Sequence, residues 1–148
     1  MLGTLNRKQI DNVLHSQVVG RLGCYSDRVY VVPITYAYDG DYIYGHTIEG
    51  LKIRMMRNNP NVCIEVEQIE NLAHWQTVIL WGTYEELKGD NAEDALQLLI
   101  NRTQPLMTSE TSRPKHGLDR AGGMRRTDKR TITFRIKVEQ ATGRYEKR

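Results

Sequence analysis

The chain has 148 residues, the length of one ordinary domain, and 39% of them are hydrophobic and 26% charged. These fractions are typical of folded proteins, and no run approaches the roughly 18 apolar residues of a membrane-spanning helix. The net charge is +3, but residues 113–130 hold seven Lys or Arg against two Asp, which leaves −2 for the rest. Any binding of nucleic acid would therefore depend on that one segment.

The start of the chain and its two cysteines bear on localisation. Residues 1–14 contain no apolar core of the kind that a secretion signal needs. Cys24 and Cys63 have no CxxC spacing, and both lie in apolar patterns typical of buried strands. We therefore expect a cytoplasmic protein whose cysteines are inert packing residues.

The first predicted elements are a helix and three strands. Asn6 and Gln9 have the spacing of a capping box, which predicts a short amphipathic helix that ends near Ser16. The period then changes from helical to extended, and Asp39-Gly40 indicates a tight turn. The predicted strands around that turn span 18–25, 30–38 and 41–46.

Pro33 falls inside the second of these strands. Proline has no backbone N–H to donate to a ladder, so we expect an irregular or unpaired stretch at that point.

The second half of the chain adds two helices and three strands. A helix over 50–57, with Thr47 as its cap, is stopped by Asn58-Asn59-Pro60, and Asp90 with Glu93 predicts a further capped helix. The predicted strands span 62–66, 76–87 and 131–138. Between them, residues 102–130 show little periodicity and are expected to form a long basic loop or arm.

About six strands and three short helices favour a mainly β protein. The helices are too few for a parallel βαβ array, and the first hairpin is antiparallel. We therefore expect one domain over residues 1–148, built as a small and mostly antiparallel barrel.

An anion site is indicated between His46 and Lys52. There a strand ends, the hydroxyl residue Thr47 follows, and a helix begins with a lysine in its first turn. Free backbone N–H groups at a helix start attract anions, whereas lysine is normally favoured at the other end. A bound phosphate would explain Lys52, and a solvated lysine is the alternative. Glu49 should then face solvent, because it would repel a phosphate.

Other familiar sites are absent from the sequence. It contains no GxGxxG, Walker, HExxH or GxSxG pattern. Its four histidines lack the spacing of zinc ligands, so no dedicated metal site is expected. We nominate no catalytic side-chain acid or base.

The order and spacing of several short motifs resemble one family. The motifs are Gly20-Arg21-Leu22-Gly23, residues 30–36, residues 39–44 with His46, Gly50-Leu51-Lys52, residues 59–63, residues 75–82, residues 134–137 and Thr142-Gly143-Arg144. This is the group related to pyridoxamine 5′-phosphate oxidase, in the branch that contains nitroimidazole-resistance proteins. The resemblance implies a six-stranded antiparallel split β-barrel that forms a homodimer and binds FMN at the subunit interface.

The resemblance also implies a set of flavin contacts in this sequence. They are Val32, Pro33, Ile34 and Thr35 beside the isoalloxazine, His46, Thr47, Leu51 and Lys52 at the ribityl phosphate, and Gln76 and Thr77, preceded by Trp75, from a neighbouring strand. Each has a plainer alternative: core residues for Val32 and Ile34, a strand end for His46, packing for Trp75 and solvent exposure for Gln76.

The function expected from this resemblance is an FMN-dependent reductase. A reduced pyridine nucleotide would supply electrons, and a small acceptor such as a nitro compound or quinone would receive them. The chain ends without the arginine-rich, proline-closed substrate segment of authentic pyridoxamine phosphate oxidases. An oxidase of that type is therefore the second hypothesis, and a non-enzymatic flavin- or haem-binding module is the third.

The basic segment 113–130 is expected to fold over the partner subunit or over the mouth of the cofactor site. It contains no aromatic residue to stack on bases, and Asp119 and Asp128 interrupt its charge, so nucleic acid is the less favoured partner.

Overall fold

The computed structural model describes residues 1–106 and 130–148, so the basic segment lies outside the described residues except for Arg130. Its strands are β1 (Leu2–Thr4), β2 (Val19–Tyr25), β3 (Val29–Thr35), β4 (Ala37–Tyr38), β5 (Tyr42–Ile48), β6 (Asn61–Asn71), β7 (His74–Leu87) and β8 (Thr131–Lys147). Its helices are α1 (Arg7–Ser16), α2 (Leu51–Asn58) and α3 (Gly89–Thr103), and a 3₁₀ turn over Gln104–Leu106 follows α3.

The strands form one antiparallel sheet in the order β3-β2-β6-β7-β8-β5-β4, with β1 paired to the end of β8. β3 and β5 touch at the seam where the sheet curls back on itself, although no ladder joins them in the described residues. This arrangement confirms the predicted antiparallel split barrel. The described residues contain eight strands instead of six, because the short β1 and β4 have too few residues to show a period.

The core lies inside the curled sheet. Alternate residues of each strand point inward, and Leu22, Ile64, Leu80, Phe134 and Ile136 are almost completely buried. Burial of these apolar side chains supplies the main driving force for the fold. None of the helices in the described part of the chain is long and apolar enough to span a membrane.

The first helix begins as predicted. The backbone N–H of Gln9 donates to Asn6 Oδ1 at 2.9 Å, and that of Asn6 donates to Gln9 Oε1 at 2.8 Å. This is a complete capping box, and Ile10, Val13 and Leu14 form the buried face of α1. The predicted helix is thus confirmed from its cap residue to its last turn.

Pro33 causes no irregularity in the ladder with β2, and the unpaired stretch predicted at Pro33 is found on the free edge of β3, which no ladder in the described residues joins. β3 pairs with β2 without a break from Val29 to Thr35, and proline is tolerated there because β3 is an edge strand. The break falls at Tyr36, which separates β3 from β4. The Tyr36 N–H donates to the Val18 carbonyl at 2.9 Å, and its buried hydroxyl donates to the Leu14 carbonyl at 2.7 Å.

The structure also places the starts of two helices differently from the prediction. Thr47 lies within β5, whose ladder with β8 continues to Ile48, so Gly50 is the cap residue of α2. Lys88 is the cap residue of α3, and Asp90 lies in its first turn. α3 continues to Thr103, inside the segment expected to be a loop. The Thr103 side chain is buried there, and its hydroxyl donates to the Leu99 carbonyl at 2.7 Å.

The last strand is twice as long as predicted. β8 runs to Lys147, and its register on β7 shifts between Trp81 and Gly82, which leaves Glu139 as an extra residue. Such a bulge reverses the alternation of inward and outward side chains. The sequence pattern therefore loses its period at this point, although the strand continues.

Candidate functional site

The first turn of α2 is the centre of the predicted anion site. β5 ends at Ile48, and Gly50 begins the helix without a side chain that could cap it. The N–H of Arg54 is the first to bond within the helix, to the Gly50 carbonyl at 3.1 Å. The N–H groups of the preceding turn are free to meet a ligand and carry the positive end of the helix dipole.

Lys52 lies in this first turn and is half-buried. Across residues 1–106 and 130–148, its ammonium makes no hydrogen bond and no ion pair. Burial lowers the pKa of Lys52, and the neighbouring Cys24 opposes that effect. A half-buried cation at the positive end of a helix lacks the partner that it needs, and an anion would supply it.

Glu49 is not the anionic partner of Lys52. Its side chain is exposed, as expected, and its carboxylate pairs with Arg57 at 2.6 Å, while Arg57 also contacts Glu86 at 2.7 Å. The one acidic residue next to the helix start is therefore engaged by a cation further along α2.

β3 presents different groups on its two faces. Val32 and Ile34 point inward, where Ile34 is buried and Val32 packs against the core, whereas Pro33 and Thr35 are exposed on the outer face. In the described residues β3 pairs only with β2, so its free edge exposes main-chain groups. Val32 and Ile34 are thus core residues. A planar ligand could contact the main-chain groups on the free edge of β3.

His46 and Leu51 are held by the surrounding structure. His46 is 7% exposed, and its Nδ1 lies 2.9 Å from the hydroxyl oxygen of Thr133. By alternation from Gly45, which faces Phe134 in the core, the imidazole lies on the face of β5 opposite to the core. Leu51 packs against the core. The main chain at 46–47 remains close to the start of α2.

The third predicted group lies elsewhere in the molecule. Trp75, Gln76 and Thr77 are at the beginning of β7, and roughly 36 Å of strand separates Gln76 from Leu87. Leu87 pairs with Thr133, which is the partner of His46. This group is therefore at the far end of the sheet from His46.

The group from Trp75 to Thr77 is also separated from β3. On the outer face, Pro33 is in register with Arg21, Arg21 with Glu65, and Glu65 with Ile79. β7 is thus three strands from β3, roughly 14 Å, and Thr77 lies two residues beyond that row. Within one chain the structure brings β3 close to β5, but Trp75 to Thr77 stay apart from β3.

Sequence reasoning missed an apolar region on the outer face. Val29, Val31 and Trp81 are 73%, 63% and 42% exposed, and they border a cavity of about 370 Å³ between β2 and β6. The sequence does contain a signal for this region. Val29 and Val31 are apolar although they alternate with the inward residues of the strand and therefore face outward. A second cavity of about 230 Å³ lies beside Trp75, Gln76 and Tyr145.

Comparison with known proteins identifies the fold and the family. A model of the pyridoxamine 5′-phosphate oxidase family matches residues 6–145. The chain belongs to this family. The family and the split-barrel fold expected from the sequence are thereby confirmed.

The chain is also similar to two individual proteins. An uncharacterised protein from Rhizobium meliloti (strain 1021) is 34% identical over 84 residues, so the match spans little more than half of either chain, 56% of each. A crystal structure of an FAD-binding protein from Mesorhizobium loti has a TM-score of 0.75 and 28% identity, covering 100% of this chain and 98% of that one.

A candidate 5-nitroimidazole antibiotic resistance protein from Bacteroides thetaiotaomicron shares the fold, with a TM-score of 0.70 and 18% identity. The match covers 98% of this chain and 89% of that one.

Proposed function

We propose that this protein is a flavin-dependent oxidoreductase that passes electrons from a reduced pyridine nucleotide to a small acceptor, such as a nitro compound or a quinone. One observation carries the proposal: the half-buried ammonium of Lys52 has no partner in the described residues and sits at an uncapped helix start. Family membership and the FAD-binding relative from Mesorhizobium loti support a flavin as the ligand that completes it.

The described residues fit the FMN moiety of a flavin. The first-turn N–H groups of α2, the Lys52 ammonium and the Thr47 hydroxyl are the groups that bind a ribityl phosphate. His46 contributes through its main chain, because its imidazole is held at Thr133. The free edge of β3 at 32–35 lies along the isoalloxazine, and Leu51 closes the apolar side.

The chemistry requires little of the protein side chains. When bound, the flavin supplies the hydride and electron transfer, and the protein binds it, orients it and limits access of solvent. No side-chain acid or base is assigned to the reaction.

We further propose that a second copy of the chain completes the site. The outer face of β2, β3, β6 and β7 carries exposed apolar residues, which a monomer would leave in water. They are Val19, Val29, Val31, Ile79 and Trp81. Two copies that pack through this face can bring Trp75, Gln76 and Thr77 of one chain to β3 and α2 of the other, which one chain alone does not do.

The experiment that tests the flavin is a visible spectrum of freshly purified protein, followed by FMN titration and desalting. Retained absorption with flavin bands supports the proposal. Protein that is colourless, and stays so after FMN addition and desalting, contradicts it. With flavin bound, oxidation of a reduced pyridine nucleotide should depend on a nitro or quinone acceptor. Peroxide release with pyridoxamine 5′-phosphate would instead support the oxidase alternative.

A further inference from the structure

The outer face of β2, β3 and β6 carries one cluster of charges. The structure describes all three strands, and the charged residues on this face are Arg21, Glu65 and Glu67. The Nη1 of Arg21 lies 3.1 Å from Glu67 Oε1 and 3.7 Å from Glu65 Oε1, and all three side chains are partly buried. Two carboxylates therefore share one guanidinium on a face that is otherwise uncharged.

Contacts within one chain leave this cluster incomplete. Arg21 has five N–H donors, and in the described part of the chain its guanidinium forms ion pairs but no hydrogen bond. Burial and the nearby Glu67 raise the pKa of Glu65, and the attraction of Arg21 offsets them only in part. A second cation beside Glu65 would stabilise its charged form.

The strand order determines where a second copy would place the cluster. On the outer face the strands follow one another as β3-β2-β6-β7. The dimer proposed above sets β7 of one chain opposite β3 of the other. A two-fold axis that does so runs parallel to the strands, between β2 and β6. By symmetry, β2 of each chain then faces β6 of its partner.

The register decides which residues meet across this axis. Arg21 is directly in register with Glu65, and rotation about an axis parallel to the strands leaves each residue at the same height along them. Arg21 of each chain therefore lies opposite Glu65 of the partner subunit. The same rotation sets Thr35 opposite Thr77 of the partner subunit, in keeping with a flavin held between β3 and β7 of two chains.

We propose that two symmetric ion pairs, each between Arg21 of one chain and Glu65 of the other, orient the dimer. The inference rests on the proposed dimer and deepens it, because it names the contacts that select a second copy of this chain as the partner. Opposite charges that face each other across an interface fix its register, and like charges exclude other arrangements.

Charge reversal in separate chains tests this pairing. Arg21→Glu sets two carboxylates opposite each other, and Glu65→Arg sets two guanidinium groups opposite each other. Each variant alone should dimerise about a hundredfold more weakly than the wild type, the effect of like charges in an interface. A mixture of the two variants should form heterodimers, because both contacts across the interface then join opposite charges. Native mass spectrometry of differently tagged chains measures the species.

The heterodimer separates contacts between chains from contacts within one chain. In each variant, residues 21 and 65 of the same chain carry like charges, so recovery on mixing can come only from contacts across the interface. Arg7→Glu and Asp11→Arg are the matched control, because this ion pair of 3.6 Å lies within α1. Each control variant should dimerise like the wild type, and the two should mix without preference.

Statistical mixing of Arg21→Glu with Glu65→Arg, or the absence of a heterodimer, would overturn the inference. A monomeric wild type would contradict the proposed dimer itself, and the flavin spectrum is read independently of both. Glu67→Gln gives a second measurement without charge reversal. It removes the excess carboxylate, so the dimer should bind about tenfold more tightly in sedimentation velocity. An unchanged or weaker dimer would also count against the inference.

Discussion

At the scale of single residues, Lys52 is unusual because of what surrounds it. A lysine in the first turn of a helix opposes the helix dipole, and burial adds a further penalty. Burial favours the uncharged form and lowers the pKa of Lys52. An ordinary surface lysine would escape into solvent, so its position is explained best by an anionic ligand.

Lys52→Ala should weaken flavin binding by about 1.5–3 kcal/mol, the value of a charge-assisted contact, or roughly 10- to 150-fold. Isothermal titration with FMN measures the change. Arg54→Ala is the matched control, because Arg54 is an exposed cation two residues further along α2. Equal losses in the two variants would indicate a general effect of charge and remove Lys52 from the site.

Gly45 is required by the packing of the core. A Cβ at this position would clash with the Phe134 ring in the core. Gly45→Ala should therefore destabilise the protein by about 1–3 kcal/mol, measured by urea unfolding. Combining it with Phe134→Leu, which shortens the ring side chain, should give a loss smaller than the sum of the two single losses. Additive losses would show that the two residues do not conflict.

At the scale of elements, the hairpin between β4 and β5 is held by a carboxylate. Asp39 Oδ1 accepts from the N–H groups of Asp41 and Tyr42, both at 2.8 Å, and Oδ2 accepts from the Tyr44 hydroxyl at 2.7 Å. Burial alone would raise the pKa of Asp39, but these hydrogen bonds outweigh it and lower the pKa. The charged form is therefore the one that stabilises the turn.

Asp39→Asn should cost about 1 kcal/mol at pH 7, the net value of an exposed hydrogen bond. Because the folded pKa lies below the unfolded one, the stabilisation is present above the usual range of an aspartate and is lost as pH falls through the folded pKa. Urea unfolding as a function of pH should show the two proteins converging in acid. Asp41→Asn, whose side chain is exposed, should parallel the wild type.

At the scale of the whole molecule, one chain does not bring the three predicted groups of flavin contacts together. Trp75 and Thr77 are three strands away from β3 on the same outer face, whereas Gln76 alternates to the face of Val78. In the proposed two-fold dimer through that face, Trp75 and Thr77 of each chain would lie opposite the partner's β3. The protein is then expected to sediment at twice its chain mass of 17.1 kDa.

Mixed dimers test whether the site is shared. Lys52→Ala and Trp75→Ala should each bind flavin poorly, but a heterodimer of the two should recover one intact site, formed by Lys52 of one chain and Trp75 of the other. Co-expression with two different tags, followed by flavin quantification, measures this recovery. Heterodimers that bind no more flavin than either parent would place both residues in a site within one chain.

Much of this protein could be predicted from local patterns. The capping box of Asn6 and Gln9, the Asp39-Gly40 turn and the strand periods are encoded by residues within a few positions of each other. These local signals were enough to predict the β class and most of the elements, and they indicated the anion site that we propose at the start of α2. They failed at Thr47 and at Glu139, where a ladder with a distant strand decides the conformation.

Tertiary structure alone decided which residues meet. The sequence by itself could associate the motifs of β3, α2 and β7 with one flavin, but strand order separates the third from the first two. Strand pairing also created the cavity between β2 and β6, because these two strands pair over only three residues and separate beyond Gly23. The physical reason is that strand pairing is long-range: it depends on total burial and ladder closure, which no local period records.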